Sequence, residues 1–208
     1  MRSNGTPARQ NEATDVKSSK SVIRCLYTNS DSLINKMHEL KARIGNLQHR
    51  PEVIIITEVM PKNFRFDITL AEISLHGYQI FTSGLNESGK RGTLILISDE
   101  LESSPYSFET SFQENLWATI RLGNREKLLV GCIYRSPNSD RQNNENLMDL
   151  IREVGDSNFS HVLMVGDFNY PSINWVSTSA SDNEANVFIE SCRDAYLTQH
   201  VMEPTRGR

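Results

Sequence analysis

Only three cysteines occur in the 208 residues, Cys25, Cys132 and Cys192, too few and too scattered for a disulfide framework or a CxxC-type zinc site. All three are expected as buried thiols, Cys25 and Cys132 because they lie in apolar, strand-like runs. No stretch approaches the roughly 18 to 20 uninterrupted apolar residues of a membrane span. Nor does a basic head with an apolar core stand at the N-terminus, so no secretory signal is expected. Positive charge is not in excess either: 22 Lys and Arg against 26 Asp and Glu leave a net charge of −4. That balance counts against a protein that holds nucleic acid by charge alone, but not against an enzyme working through a bound cation. The expectation is an intracellular protein with no membrane contact. What is present, 38% hydrophobic and 8% aromatic residues, suffices for one real core at this length.

Residues 1–20 are polar, nearly devoid of large apolar side chains and without periodicity, and are expected as a disordered leader before a domain at 21–208. The run VIRCLYT (22–28) predicts a strand. Leu33, Met37, Leu40, Ile44 and Leu47 then recur at spacings of four and three, which predicts the apolar stripe of a helix. Asn29, Ser30 and Asp31 stand where that helix needs a cap, and RPEVIIITE reads as a turn and a buried strand ending at Glu58. YQIF, GTLILIS, LWATIRL and KLLVGCIY are further strand-like runs, with LGNREK as a hairpin loop between the last two. Helices are predicted at about 140–154 and 182–197, the latter opened by a capping box of Ser181 and Glu184. Between them lies HVLMVGDFNYP (161–171), a strand closing at Asp167, where Gly166 is expected to let the backbone turn tightly. Strands that alternate with helices at both ends and pair as hairpins in the middle predict an α/β sandwich with mixed sheets.

Several of these strands end in polar residues. Asn29 and Asp31, Glu58, Tyr134 and Arg135, and Asp167 and Asn169 follow four different strands, and in an open α/β sheet ligands lie beyond the carboxyl ends of strands. Each residue also has a purely structural reading. Glu58 can be a solvated strand end, Asn29 and Asp31 helix caps, Asp167 and Asn169 an Asx turn, and Tyr134 an aromatic at the core's edge. Together, carboxylates and amides without a His or Cys cluster are hard oxygen donors, a set suited to Mg²⁺ or Mn²⁺. A hard cation with Tyr, Asn and Arg donors suits phosphate chemistry.

The segments LYTNSDSLINKMHEL, PEVIIITEVMP, RGTLILISDEL, ENLWATIRL, LLVGCIYRSPNS and HVLMVGDFNYPSINW, in this order, resemble the endonuclease/exonuclease/phosphatase superfamily. Within it they resemble the apurinic-type endonuclease domains of LINE-type (non-LTR) retrotransposons. The resemblance implies a four-layered α/β sandwich with two facing mixed sheets flanked by helices. It further implies a Mg²⁺-dependent endonuclease, Mn²⁺ being an alternative, that hydrolyses a DNA phosphodiester to a 3′-hydroxyl from which a reverse transcriptase primes. Carried over residue by residue, Glu58 is the main metal ligand with Asn29 beside it and Asp31 as a further contact. Tyr134 addresses the phosphate, Asp167 orients or activates water, and Asn169 binds the phosphate, with Arg135 and Asn138 as contacts to the DNA backbone. The expected partners are DNA and a reverse transcriptase domain of a longer parent polyprotein, the expected state a monomer, and the expected location intracellular, in the nucleus where it acts on genomic DNA. The family's closing Ser-Asp-His element does not appear before EPTRGR, so the resemblance implies a domain lacking its final strands. Two other functions stay open: a catalytically dead fragment that retains only binding, and a phosphatase or phosphodiesterase acting on another phosphoester.

Overall fold

The computed structural model describes residues 22–201; the leader expected at 1–20 lies outside the described residues. Strand β1 (Cys25–Asn29) leads through a 3₁₀ turn at Leu33–Lys36 into helix α1 (Met37–Gly45) and back to β2 (Val53–Thr57), which pairs parallel to β1. This is the strand, helix, strand unit of the sequence, with two differences. The first turn is 3₁₀ rather than α, and Leu47, expected to extend the stripe, is exposed because the helix has already ended. A one-turn helix α2 (Leu70–Ile73), opened by a Thr69–Glu72 capping box, precedes β3 (Tyr78–Ser83) and β4 (Thr93–Ser98). The first sheet has the order β1-β2-β4-β3, β4 running antiparallel to both neighbours.

The second sheet has the order β5-β6-β7-β8. Its strands are β5 (Ser103–Tyr106), β6 (Asn115–Arg121), β7 (Lys127–Tyr134) and β8 (His161–Asp167). β6 and β7 form the expected hairpin, whereas β7 and β8 are parallel because α3 (Arg141–Gly155) carries the crossover between them. A two-stranded ribbon of β9 (Ile173–Asn174) and β10 (Ser179–Ala180) precedes α4 (Asn183–Asp194). The cap of α4 is Asp182, whose side chain accepts from Ala185 N at 2.8 Å, not the Ser181 of the expected capping box.

The layers follow from side-chain alternation. Val53, Ile55, Ile95 and Ile97 of the first sheet meet Ala118, Ile120, Val130 and Cys132 of the second in a buried interlayer. The opposite faces bury Ile54, Ile56, Leu94 and Leu96 under α1, and Trp117, Leu129 and Ile133 under α3 and α4. Both faces of β2 and β4 are thus covered, which is why VIIIT and TLILI read as unbroken apolar runs. Each such side chain contributes roughly 1.5–3 kcal/mol of burial energy. The architecture is a four-layered α/β sandwich with two mixed sheets. Among the described residues no helix is long and apolar enough to cross a membrane.

The cysteines do not share one fate: Cys132 is buried and Cys192 half-buried, but Cys25, expected inside, is exposed on the edge strand β1. Gly166 also has a different reason from the expected turn. It lies within β8 opposite Ile133 of β7, and a Cβ there would come 1.8 Å from the Ile133 carbonyl oxygen. Close approach of two backbones, not a turn, requires glycine here.

Candidate active site

The carboxyl ends of β1, β2, β7 and β8 lie at one edge of the sandwich. Asn29 stands opposite Thr57 in the first sheet, and Tyr134 opposite Asp167 in the second. One amide joins the two sheets at this edge. Asn29 Nδ2 donates to Glu58 Oε1 at 2.6 Å and to Asp167 Oδ2 at 2.9 Å, across 138 residues of chain in the second case. Asn29 Oδ1 meanwhile accepts from Asp31 N at 3.2 Å. Asn29 is therefore a donor held between two carboxylates, one from each sheet.

Backbone geometry separates the functional from the structural reading of these residues. The helix-cap reading of Asn29 and Asp31 fails: the 3₁₀ turn has no side-chain cap, and Lys36 Nζ instead donates to the carbonyls of Ser30 at 2.6 Å and Asp31 at 3.3 Å. Asp31, Glu58 and Asn169 all hold left-handed backbone, with φ of 40°, 54° and 51°. Non-glycine residues held there carry strain of order 1–3 kcal/mol, which gathers where side chains must be aimed. The strain is held by stitching: Ser32 N and Leu33 N donate to Glu58 O and Val59 O at 2.9 Å each, and Met60 N donates to Arg91 O at 2.7 Å.

Two residues at this edge were not among the expected set. Arg91 Nη2 lies 2.6 Å from Glu58 Oε2 and 2.7 Å from Asp31 Oδ1, and Arg91 Nε donates to Met60 O at 2.9 Å. Glu114 accepts from the backbone N–H of Arg91 at 2.6 Å and of Gly92 at 3.0 Å, and its carbonyl accepts from Tyr134 N at 3.0 Å. A signal for both was present in the sequence. β4 and β6 run antiparallel to β2 and β7, so the residues just before them, 91–92 and 114, fall at the same edge as the carboxyl ends of their neighbours.

The ionisable groups respond to this crowding. The hydrogen bond from Arg91, aided by its charge and that of Lys36 and Lys62, holds the Asp31 carboxyl below the usual range. Burial raises Glu114 against the N–H donors that would lower it. Burial, reinforced by the charge of Glu58, pushes the Tyr134 phenol up to about 12. Tyr134 is thus a protonated donor at neutral pH, lying within the field of Glu58, Glu114 and Asp167.

Arg135 is placed otherwise than expected for a DNA-backbone contact. Its guanidinium is buried and occupied: Nε donates to Asn144 Oδ1 at 2.7 Å, Nη1 to Asn169 O at 3.0 Å, and Nη2 pairs with Glu184 at 3.5 Å. It also lies 4.0 Å over the Tyr170 ring. Asn169 returns the contact, its Nδ2 donating to Arg135 O at 2.7 Å. Arg135 therefore fixes the 168–170 loop from inside, whereas Asn138 is exposed in the loop before α3.

The donor chemistry of Glu58, Asp31 and Asp167 suits a hard divalent cation, and two of these carboxylates already converge on one positive atom, Arg91 Nη2. Among the described residues, however, no group of three His, Cys, Asp or Glu side chains is arranged to hold a metal ion.

Comparison with known proteins agrees with this architecture. Residues 128–208 match a family model described as Endonuclease-reverse transcriptase. No curated protein sequence matches the chain. Among solved structures, the endonuclease domain of TRAS1, a telomere-specific non-LTR retrotransposon, is similar with a TM-score of 0.55 at 17% identity, over 83% of this chain and 72% of that one. A 3′ phosphatase, NExo from Neisseria, bound to a product DNA hairpin, gives 0.55 at 13%, over 84% and 71%. The AP endonuclease LMAP from Leishmania major gives 0.60 at 11%, over 83% and 66%. The chain shares the fold of these structures. Its residues 128–208 are similar to the Endonuclease-reverse transcriptase family, and its fold is similar to that of the TRAS1 endonuclease domain.

Proposed function

We propose that this chain is a Mg²⁺-dependent endonuclease domain of retroelement type, hydrolysing a DNA phosphodiester to leave a 3′-hydroxyl for reverse transcription. The observation that carries the reading is the Asn29 amide between Glu58 and Asp167, which brings carboxylates from both sheets to one strained edge beside a protonated phenol. In this reading Glu58 and Asp31 hold the cation, which when bound neutralises the non-bridging oxygens of the phosphate. Asp167, oriented by Asn29, accepts the proton of the attacking water as its oxygen bonds to phosphorus. The bond from phosphorus to the 3′-oxygen breaks, that oxygen takes up a proton from solvent, and a 5′-phosphate remains on the other fragment. Tyr134 donates to a phosphate oxygen as negative charge accumulates. Asn169, held by Arg135, presents its remaining amide capacity to the same group. Action on chromosomal DNA would require the chain to reach the nucleus, alone or within a polyprotein that carries the reverse transcriptase.

Replacement of Asp167 by Asn preserves its shape and removes the base. Nicking of supercoiled plasmid by the variant is expected to fall by roughly 10² to 10⁴, the usual contribution of a positioned general base. An unchanged rate would remove Asp167 from that role. The likeness to a 3′ phosphatase favours one second reading, an enzyme acting on a terminal phosphoester. Release of inorganic phosphate from a 3′-phosphorylated oligonucleotide, with no plasmid nicking, would select it.

A further inference from the structure

We propose that Arg91 is the resident counter-cation of this site, which a divalent metal must displace from Glu58 and Asp31; the proposal rests on the metal-dependent reading above. The guanidinium bridges the two carboxylates, 2.6 Å from Glu58 Oε2 and 2.7 Å from Asp31 Oδ1. It is not an incidental surface contact. Arg91 is 8% exposed, and the Glu58 side chain that it meets is 13% exposed. An arginine keeps its charge at any pH the protein survives. Two carboxylates brought to one point without a cation would repel, so the residue that lets them converge in the absence of metal is Arg91.

The anchoring shows how exchange can proceed. Arg91 Nε is fixed on Met60 O at 2.9 Å, and its backbone N–H is fixed on Glu114 at 2.6 Å, so the side chain is tethered behind the carboxylates. Only Nη2 faces them. The Asp31 side chain is 70% exposed, so the bridged pair is open to an incoming ion from the solvent side. A metal that takes the same two oxygens needs a shift of the Arg91 tip, not an unfolding of the loop. Metal affinity is then set by competition with an internal charge. Displaced Arg91 remains tied to the site through Met60 and Glu114.

The test is a Mn²⁺ titration of the full chain by calorimetry, with wild type, Arg91→Gln and Arg91→Lys side by side. One unit of opposite charge beside an ionisable group shifts its binding equilibrium by roughly ten- to a thousandfold. Arg91→Gln is therefore expected to bind Mn²⁺ at least about tenfold more tightly than wild type. Arg91→Lys, which keeps the charge without the fork, is expected to fall between them. The loss of thermal stability of Arg91→Gln in EDTA is expected to shrink when Mn²⁺ is added. Equal or weaker binding by folded Arg91→Gln, with wild type binding normally, overturns the proposal alone. Absence of binding by both folded proteins overturns the proposal together with the metal-dependent reading. Should Arg91→Gln fail to fold, the side-chain nitrogen resonances of Arg91 in wild type can be followed during a Mg²⁺ titration. Movement in step with metal occupancy supports exchange, and unmoved resonances at saturation overturn it.

Discussion

Arg91 and Arg135 are both buried arginines near the same edge of the sandwich, and they differ in what they meet. Arg91 faces two carboxylates of the candidate site, whereas Arg135 faces backbone carbonyls, an amide and an aromatic ring, with one partly exposed carboxylate at 3.5 Å. The first is positioned to be exchanged for another cation. The second is not placed for exchange, because apart from Glu184 its fork is matched to neutral acceptors whose loss of partners no ion would repair. Burial of an arginine therefore does not define its role; the charge of its partners does.

That contrast can be broken by measurement. Arg135→Gln leaves Asn144 and the carbonyls of Phe168 and Asn169 without their common donor, and each buried acceptor left unsatisfied typically costs about 1–3 kcal/mol. Urea denaturation should show this loss, and divalent metal should not restore it, in contrast to the metal-dependent recovery expected of Arg91→Gln. Equal recovery of both variants by metal would erase the distinction. Arg135→Lys should recover only part of the loss, since an ammonium cannot match the planar fork.

A smaller effect concerns the tyrosines that flank the two arginines. Burial raises both Tyr134 and Tyr170 to about 12 from an ordinary value of 10.0. A folded-state value above the unfolded one means that the stabilisation is fully present below pH 10 and is lost as pH rises toward 12. Phenolate absorbance should therefore show Tyr134 and Tyr170 ionising late, and unfolding free energy should decline across that window. Tyr134→Phe and Tyr170→Phe should each remove one late group and flatten part of the decline. Ionisation of Tyr134 at the ordinary phenol value would contradict its burial beside Glu58.

The sandwich was legible because its strands are nearly pure apolar or alternating runs and its turns are marked by glycine, asparagine and proline. α1 was legible from spacing, and α3 and α4 were expected close to where they lie, although the caps were not. Ser181 resembles a cap as well as Asp182 does, and only the chain direction at the helix start decides between them. β5 escaped notice because SSPY is short, polar and contains Pro105, as befits an edge strand. At the site, a search of carboxyl strand ends alone found Asn29, Glu58, Tyr134 and Asp167. It passed over Arg91 and Glu114, which precede antiparallel strands. In a mixed sheet one edge gathers the carboxyl ends of some strands and the amino ends of others, so half of the edge was overlooked. Arg135 was misread for a related reason: sequence places it beyond a strand end but cannot say that its side chain turns inward.

The central claim is that Glu58, joined to Asp167 through Asn29, makes this edge a metal-dependent nuclease site. Nicking of supercoiled plasmid by residues 1–208 with Mg²⁺, beside EDTA and the Glu58→Gln variant, tests it most directly. The account predicts nicking in Mg²⁺ that EDTA abolishes and that Glu58→Gln abolishes or lowers by orders of magnitude. Nicking by folded Glu58→Gln at the wild-type rate, or no nicking by folded wild type in Mg²⁺, would contradict it.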